Sequence, residues 1–335
     1  MKFGVFSVSD HYPQLPRTER QHYEELIEYV QVAEGLGASS FWVAEHHFHE
    51  YGIVPNPAVI LGAMSRVTKR IRLGPAVSVL TFHNPLLVAE EYAMVDLLTD
   101  GRLNFGAGSG YLRHEFEHFR VSLDEKRERA EEALRVVLQA WMGEPVYFSG
   151  RYFQVDGAKL NITPVQKPHP PVYFATLRPE GAYEIGRKGY SLLMIPYATV
   201  DNLEGLRPLI EQYRQGLQEG GFDTSSREVA ITFHTHVAES FEEACRNAQA
   251  ALELYVKTRL YAKQRFLDYL YANDIVLWGD PDHVASIVKR VFDMGATEIV
   301  LLMDFGALEQ RLVYKSLENF VRYVWPAVSG SLASV

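Results

Sequence analysis

The residues best suited to chemistry crowd one short stretch. Glu45-His46-His47-Phe48-His49-Glu50 holds three imidazoles and two carboxylates in six positions. It follows the β-prone run Ser39-Ser40-Phe41-Trp42-Val43-Ala44 and precedes Gly52 and a proline-bearing loop. Imidazoles titrate near neutrality, so such a group at a strand exit is suited to proton exchange. The structural alternative is one histidine satisfied in the core and the others facing solvent. Zinc fits less well. His46 and His47 point to opposite faces of a strand, and neither a cysteine pair nor an HExxH pattern accompanies them, so no metal is expected.

A second constellation can hold an anion. Gly106, Gly108 and Gly110 allow backbone N–H groups to approach a ligand, and Ser109 adds a hydroxyl. Arg127 lies near the start of the following long helix. Thr176 and Arg178 follow a later strand and can reach the same side. Each arginine alone reads as a surface group; their placement behind neighbouring strand exits favours a phosphate anchor.

Both constellations need a scaffold that brings distant strand exits together. Strand patterns fall at Lys2–Val8, Ser39–Ala44, Ile71–Leu80, Arg102–Ala107, Val172–Ala175, Tyr190–Ile195, Glu228–His236 and Thr297–Met303. Helical patterns separate them, the clearest being Thr18–Leu36, Asn56–Thr68, Pro85–Leu98, Leu123–Trp141, Asn202–Glu219 and Asp280–Met294. Val146–Val155 reads as a small hairpin turning at Ser149-Gly150, after the fourth helix. Phe241–Tyr271 is long enough for an extra inserted helix. Eight alternations predict an α/β fold of the (β/α)8 TIM-barrel type, with active residues on the C-terminal rim. Gly106–Gly110 is GxGxG with no helix directly behind it, and no fingerprint follows the first strand, so a dinucleotide-binding Rossmann fold is disfavoured.

Composition narrows the classes further. The 335 residues are 47% hydrophobic and 22% charged, with a formal charge of -9, which disfavours a nucleic-acid surface. One cysteine, Cys245, rules out an intrachain disulfide framework and suits the cytoplasm, with a buried inert thiol the expected role. The start MKFGVFSVSD has too short an apolar run for a signal peptide, and no run is long enough for a membrane span.

These stretches together resemble the bacterial luciferase-like family of flavin-dependent monooxygenases. The resemblance runs through WVAEHHFHEYG, Asn56-Pro57, Ile71–Gly74, Pro85–Glu91, DLLTDGRLNFGAGSG (Asp96–Gly110), Arg127, Pro171–Tyr173, Gly279–Pro281 and Leu317–Pro326. It spans nearly the whole chain and implies one luciferase-like TIM-barrel domain over 1–335. It further implies reduced FMN, supplied by a separate flavin reductase, and O2. A C4a-(hydro)peroxyflavin would then oxidise a small organic substrate. A homodimer burying helices of the early barrel is also implied.

Residue by residue, His46 is similar to the family's catalytic proton-transfer histidine, and Glu45 to the acid that precedes it. Arg127 resembles a phosphate-binding arginine. Ser109 stands where luciferase has a second one, and Leu177-Arg178 replaces a Glu-Ser pair, so Arg178 is expected to restore the charge lost at 109. Gly108 replaces a cysteine that lines the luciferase flavin pocket. With Gly108, Ser109, Gly110, Arg127, Thr176 and Arg178 as the cofactor set, light emission is not implied. Two alternatives share the barrel: F420-dependent hydride transfer and a non-catalytic flavin-binding protein.

Overall fold

The computed structural model describes residues 1–259 and 264–330. β1 (Lys2–Ser7) leads to α1 (Glu19–Gly35). That helix starts at a reciprocal cap: the Thr18 hydroxyl accepts from the Gln21 amide, and the Gln21 side chain accepts from the Thr18 amide. β2 (Ser40–Val43) leads to α2 (Pro57–Val67), which Asn56 caps ahead of a first-turn proline. α3 (Pro85–Thr99) opens the same way on Asn84-Pro85.

The expected third strand is interrupted. β3 (Arg72–Pro75) and β4 (Ser78–Val79) flank Ala76-Val77, whose peptide bond is cis. Val77 lies against β5 (Phe105–Gly108), where a Cβ on Gly108 would collide with its side chain. β5 also begins later than the sequence suggests. Arg102 is committed elsewhere, donating to the Ile71 carbonyl at 2.6 Å, and Leu103 makes only an isolated bridge to Leu73.

The chain continues through α4 (Arg113–Phe119), α5 (Lys126–Trp141), β6 (Val146–Ser149) and β7 (Gln154–Ala158). β6 and β7 form the expected antiparallel hairpin, though the turn is longer and β7 extends further. α4 is not foreshadowed in the sequence: seven residues, RHEFEHF, are too few to show a helical period. Then come β8 (Val172–Ala175), α6 (Pro179–Arg187), β9 (Ser191–Met194), α7 (Pro196–Thr199) and α8 (Leu206–Glu219). β10 (Val229–Val237) is followed by α9 (Phe241–Thr258) and α10 (Leu267–Ala272), which answer to the expected long helix and insertion. Residues 260–263 of that expectation lie outside the described residues. The chain ends through β11 (Leu277–Gly279), α11 (Pro281–Asp293), β12 (Glu298–Leu302), α12 (Gln310–Asn319), a π turn at Phe320–Val324 and α13 (Trp325–Ser329).

The parallel sheet runs β3-β2-β1-β12-β10-β9-β8-β5-β4. Because β3 and β4 are halves of one interrupted strand, this path returns on itself and gives the eight-stranded barrel that the alternation implied. β11 is an addition. It pairs with the upper part of β10 at Thr235–Val237, while β12 pairs with the lower part at Ala230–His234.

Strand alternation sorts the core into two layers. Trp42, Tyr173, Leu193, Ala230 and Val300 fill the barrel, with Trp42 edge-on to Tyr173 at 4.9 Å. A larger cluster fills the space between the barrel wall and the helices. Cys245 is half-buried on α9 rather than fully buried as expected, because it sits beside the exposed edge of that helix. Among the described residues, no helix is long and apolar enough to cross a membrane.

Candidate functional site

The exit of β2 sends its two histidines to different partners. The His46 ring is buried, with Nδ1 3.3 Å from Glu115 Oε1 on α4, and it packs edge-on to Tyr51 at 4.6 Å. A carboxylate only accepts, so Nδ1 is the donor of this pair and Nε2 is the ring nitrogen left out of it. Glu115 is itself buried and also accepts from the His47 amide at 2.9 Å, which ties the ring's orientation to the backbone. Nothing in the sequence singled out Glu115. Its partner lies 69 residues away, and only the tertiary fold brings α4 over the β2 exit.

His47 turns the other way. Its Nε2 donates to Glu45 Oε1 at 3.1 Å, and His83 Nε2 donates to the same oxygen at 2.7 Å. Glu45 Oε2 accepts from the Val79 amide at 3.0 Å. Burial pushes the Glu45 carboxyl up, but the His47, His83 and Val79 donors together hold it below its ordinary value. Burial likewise works against a charged His83, yet Glu45 holds its imidazole above its ordinary value. Glu45 and His46, neighbours in sequence, therefore serve separate networks.

Next to His46, buried tyrosines pack against one another. The Tyr51 and Tyr255 hydroxyls are 3.0 Å apart, and the Arg259 guanidinium lies 4.4 Å from the Tyr197 ring centre. His234 on β10 packs between Tyr197 and Tyr255, each at 5.1 Å. Neither of its ring nitrogens has a hydrogen-bond partner among the described residues. Burial, with Arg259 nearby, holds that imidazole well below its ordinary value, so it is neutral.

The basic constellation gathers at the β5 exit. Gly110 has φ +72°, a conformation that glycine adopts without strain. The Thr81 hydroxyl donates to the Ser109 carbonyl at 2.9 Å and the Lys126 carbonyl at 3.2 Å, which pins this turn to the start of α5. Lys126 Nζ reaches the Gly110 carbonyl at 3.2 Å. Burial, then the charges of Arg178 and Arg127, push the Lys126 ammonium down, so three cations converge here. Sequence reasoning named the two arginines and missed Lys126. Among the described residues, neither the Arg127 nor the Arg178 guanidinium has an ion-pair or hydrogen-bond partner. The Thr176 hydroxyl is already engaged, donating to the Arg178 carbonyl at 2.8 Å and accepting from its amide at 3.1 Å. Three cations without a carboxylate, beside a glycine turn, form a donor set that fits a phosphate dianion.

Two buried carboxyls occupy the β1 and β12 exits. Asp10 accepts from Tyr12 at 2.8 Å and from the Gly306 amide at 2.6 Å, and Asp304 accepts from the Ser7 hydroxyl. Burial raises Asp10 to about 6 and Asp304 to about 8, from 3.8 for an ordinary aspartate. The folded state thus holds protons that the unfolded chain has released, so this contribution to stability is full below pH 3.8 and lost as pH rises towards 8. Asp304→Asn, which keeps an acceptor for Ser7 but cannot ionise, is expected to flatten the fall in melting temperature between pH 4 and 8. Parallel melting curves for the two proteins across that range would contradict the assignment.

Residues 1–298 match the family described as Luciferase-like monooxygenase. The crystal structure of the monooxygenase RslO1 from Streptomyces bottropensis superposes with a TM-score of 0.89 at 27% identity, covering 97% of this chain and 99% of that one. The oxygenase component of flavin-dependent trigonelline monooxygenase from Acinetobacter baylyi is 28% identical over 99% of this chain and 96% of its own. An uncharacterised Sinorhizobium fredii protein, y4vJ, is 36% identical over 54% of this chain, and the match spans only about half, 51%, of that relative. The barrel with its interrupted third strand, the histidine-bearing β2 exit and the match over 1–298 converge on one assignment. The chain belongs to the luciferase-like monooxygenase family.

Proposed function

We propose that this protein is a flavin-dependent monooxygenase that takes reduced FMN and O2 and oxidises a small organic substrate. The observation that carries the reading is the pairing, on one barrel rim, of an imidazole oriented by a buried carboxylate with a carboxylate-free basic socket. Lys126, Arg127, Arg178 and the turn at Gly108-Ser109-Gly110 hold the phosphate. Reduced FMN, when bound, supplies the electrons that activate O2. His46 moves a proton at Nε2, and Glu115 fixes its tautomer. Glu45 acts at one remove, holding His47 and His83 so that the β2 exit keeps its shape. The buried tyrosines beside His46 keep water from its ring.

This reading treats 1–335 as one barrel domain served by a separate flavin reductase. Stopped-flow mixing of the anaerobic protein–FMNH2 complex with O2 tests it. A transient absorbance distinct from both reduced and oxidised flavin is expected. Reoxidation at the rate and with the spectrum of free flavin would overturn it, and tighter binding of F420 than of FMNH2 would favour hydride transfer.

The same reading includes a homodimer. α2 and α3 share an apolar outer face: Val59 is 72% exposed, Leu87 57% and Met94 54%, with Leu97 and Leu98 beside them. Single exposed apolar residues are ordinary, but a contiguous face is the usual mark of a partner. A second copy of this chain covers it in our reading. Sedimentation should give a dimer for the wild type and a shift to monomer for L87E/M94E; a monomeric wild type at micromolar concentration would refute it.

A further inference from the structure

We propose that Glu45, His47 and His83 form a binding site for a first-row divalent cation such as Zn2+, apart from the flavin socket and independent of the monooxygenase reading. One oxygen of Glu45 and one ring nitrogen from each histidine all lie within 4.8 Å of one another. A tetrahedral ion with bonds of about 2.0–2.1 Å holds its ligand atoms roughly 3.3 Å apart. The Glu45–His47 separation of 3.1 Å already matches, and the Glu45–His83 separation of 2.7 Å needs to open only slightly. The two imidazoles must close by about 1.5 Å at most to complete the triangle.

The ligands are preorganised. The His47 ring is wedged edge-on against Phe119 at 4.8 Å and Phe82 at 6.1 Å, which fixes its rotamer. The Val79 amide on the second Glu45 oxygen supplies the outer hydrogen bond that ligating carboxylates need. His83 has 26% of its side chain exposed, so the cluster reaches the protein surface on that side. Two imidazoles and one carboxylate select zinc and its neighbours over magnesium or calcium.

Without an ion, the three groups satisfy one another by hydrogen bonds, so the site is stable empty. Binding requires each Nε2 to present a lone pair, so the two N–H donors to Glu45 are replaced by one cation, and any proton not held at Nδ1 passes to solvent. This is a different pairing from the His46–His47 pair, whose side chains cannot share an ion. The bound cation would also fix His47, whose amide shares Glu115 with His46.

The test uses full-length protein, freed of metal by chelation, titrated with Co2+ and then Zn2+. One equivalent of Co2+ should develop the intense visible band of four-coordinate cobalt, and Zn2+ should abolish it. H83A, at the partly exposed rim, and H47A should each weaken binding by at least about tenfold to a hundredfold. H118A, which removes an exposed histidine of α4, should leave it unchanged. No band in the wild type, an unaltered band in H83A and H47A, or equal loss in H118A would each overturn the proposal.

Discussion

Replacing His46 with alanine is expected to lower turnover about 100- to 10,000-fold, the usual range for a lost general acid or base, with flavin affinity nearly unchanged. The ring is buried beside Tyr51, and with Nδ1 engaged by Glu115 the proposed proton exchange falls to Nε2. The proposed phosphate socket does not involve it. Turnover measured at saturating reduced flavin, alongside an anaerobic binding titration, separates the two effects. Two further variants sharpen the result. Glu115→Gln retains the side-chain shape but removes the carboxylate that sets the tautomer, so it should lower turnover in the same direction. His47→Ala disturbs the Glu45 and His83 network and should act through stability before it acts on chemistry. Wild-type turnover in H46A would reduce that histidine to a packing residue.

The second large effect concerns the phosphate. A chain of net charge -9 needs a locally positive socket to hold a dianion, and the cluster of Lys126, Arg127 and Arg178 is the one proposed here. Arginine suits the task because its planar fork donates two parallel hydrogen bonds to phosphate oxygens. A hydrogen bond to a charged group contributes about 1.5–3 kcal/mol. Loss of one arginine should therefore weaken FMN binding roughly tenfold to a hundredfold. R127A/R178A is expected to cut affinity for reduced FMN sharply and to leave affinity for reduced riboflavin, which lacks the phosphate, almost unaltered. Equal losses for both ligands would mean that the arginines support the ring pocket or the fold. Loss confined to R127A would leave Arg178 outside the socket.

Element type was readable wherever a long period or a terminal signal existed. Thr18 with Gln21, Asn56-Pro57, Asn84-Pro85 and Asp280-Pro281 each begin a helix where the capping chemistry says they should. The alternation of eight strands with helices determined the barrel, but His46 and His47 lie beyond the end of β2 at Val43, so their facing apart comes from the partners of the loop and not from strand alternation. Short elements escaped: α4 and α7 have too few residues for a period, and β11 is a three-residue strand. The break in the third strand is marked in the sequence by Gly74-Pro75, a strand-weakening pair inside the otherwise apolar run Ile71–Leu80, while the packing of Val77 against a glycine 31 residues later is not.

What the sequence alone determined about the site is which residue types stand at which strand exits. It placed imidazoles after β2 and arginines behind the exits of β5 and β8, because those positions follow from local periodicity. Which group meets which was decided by tertiary structure. Glu45 directly precedes His46 in the sequence, yet in the fold it meets His47 and His83, and His46 meets Glu115. Lys126 joins the basic socket only because Thr81 pins the start of α5 to the turn at Ser109. Hydrogen bonds and charge pairs act over about 3 to 4 Å, and partners that close are chosen by how the barrel curls, not by separation along the chain.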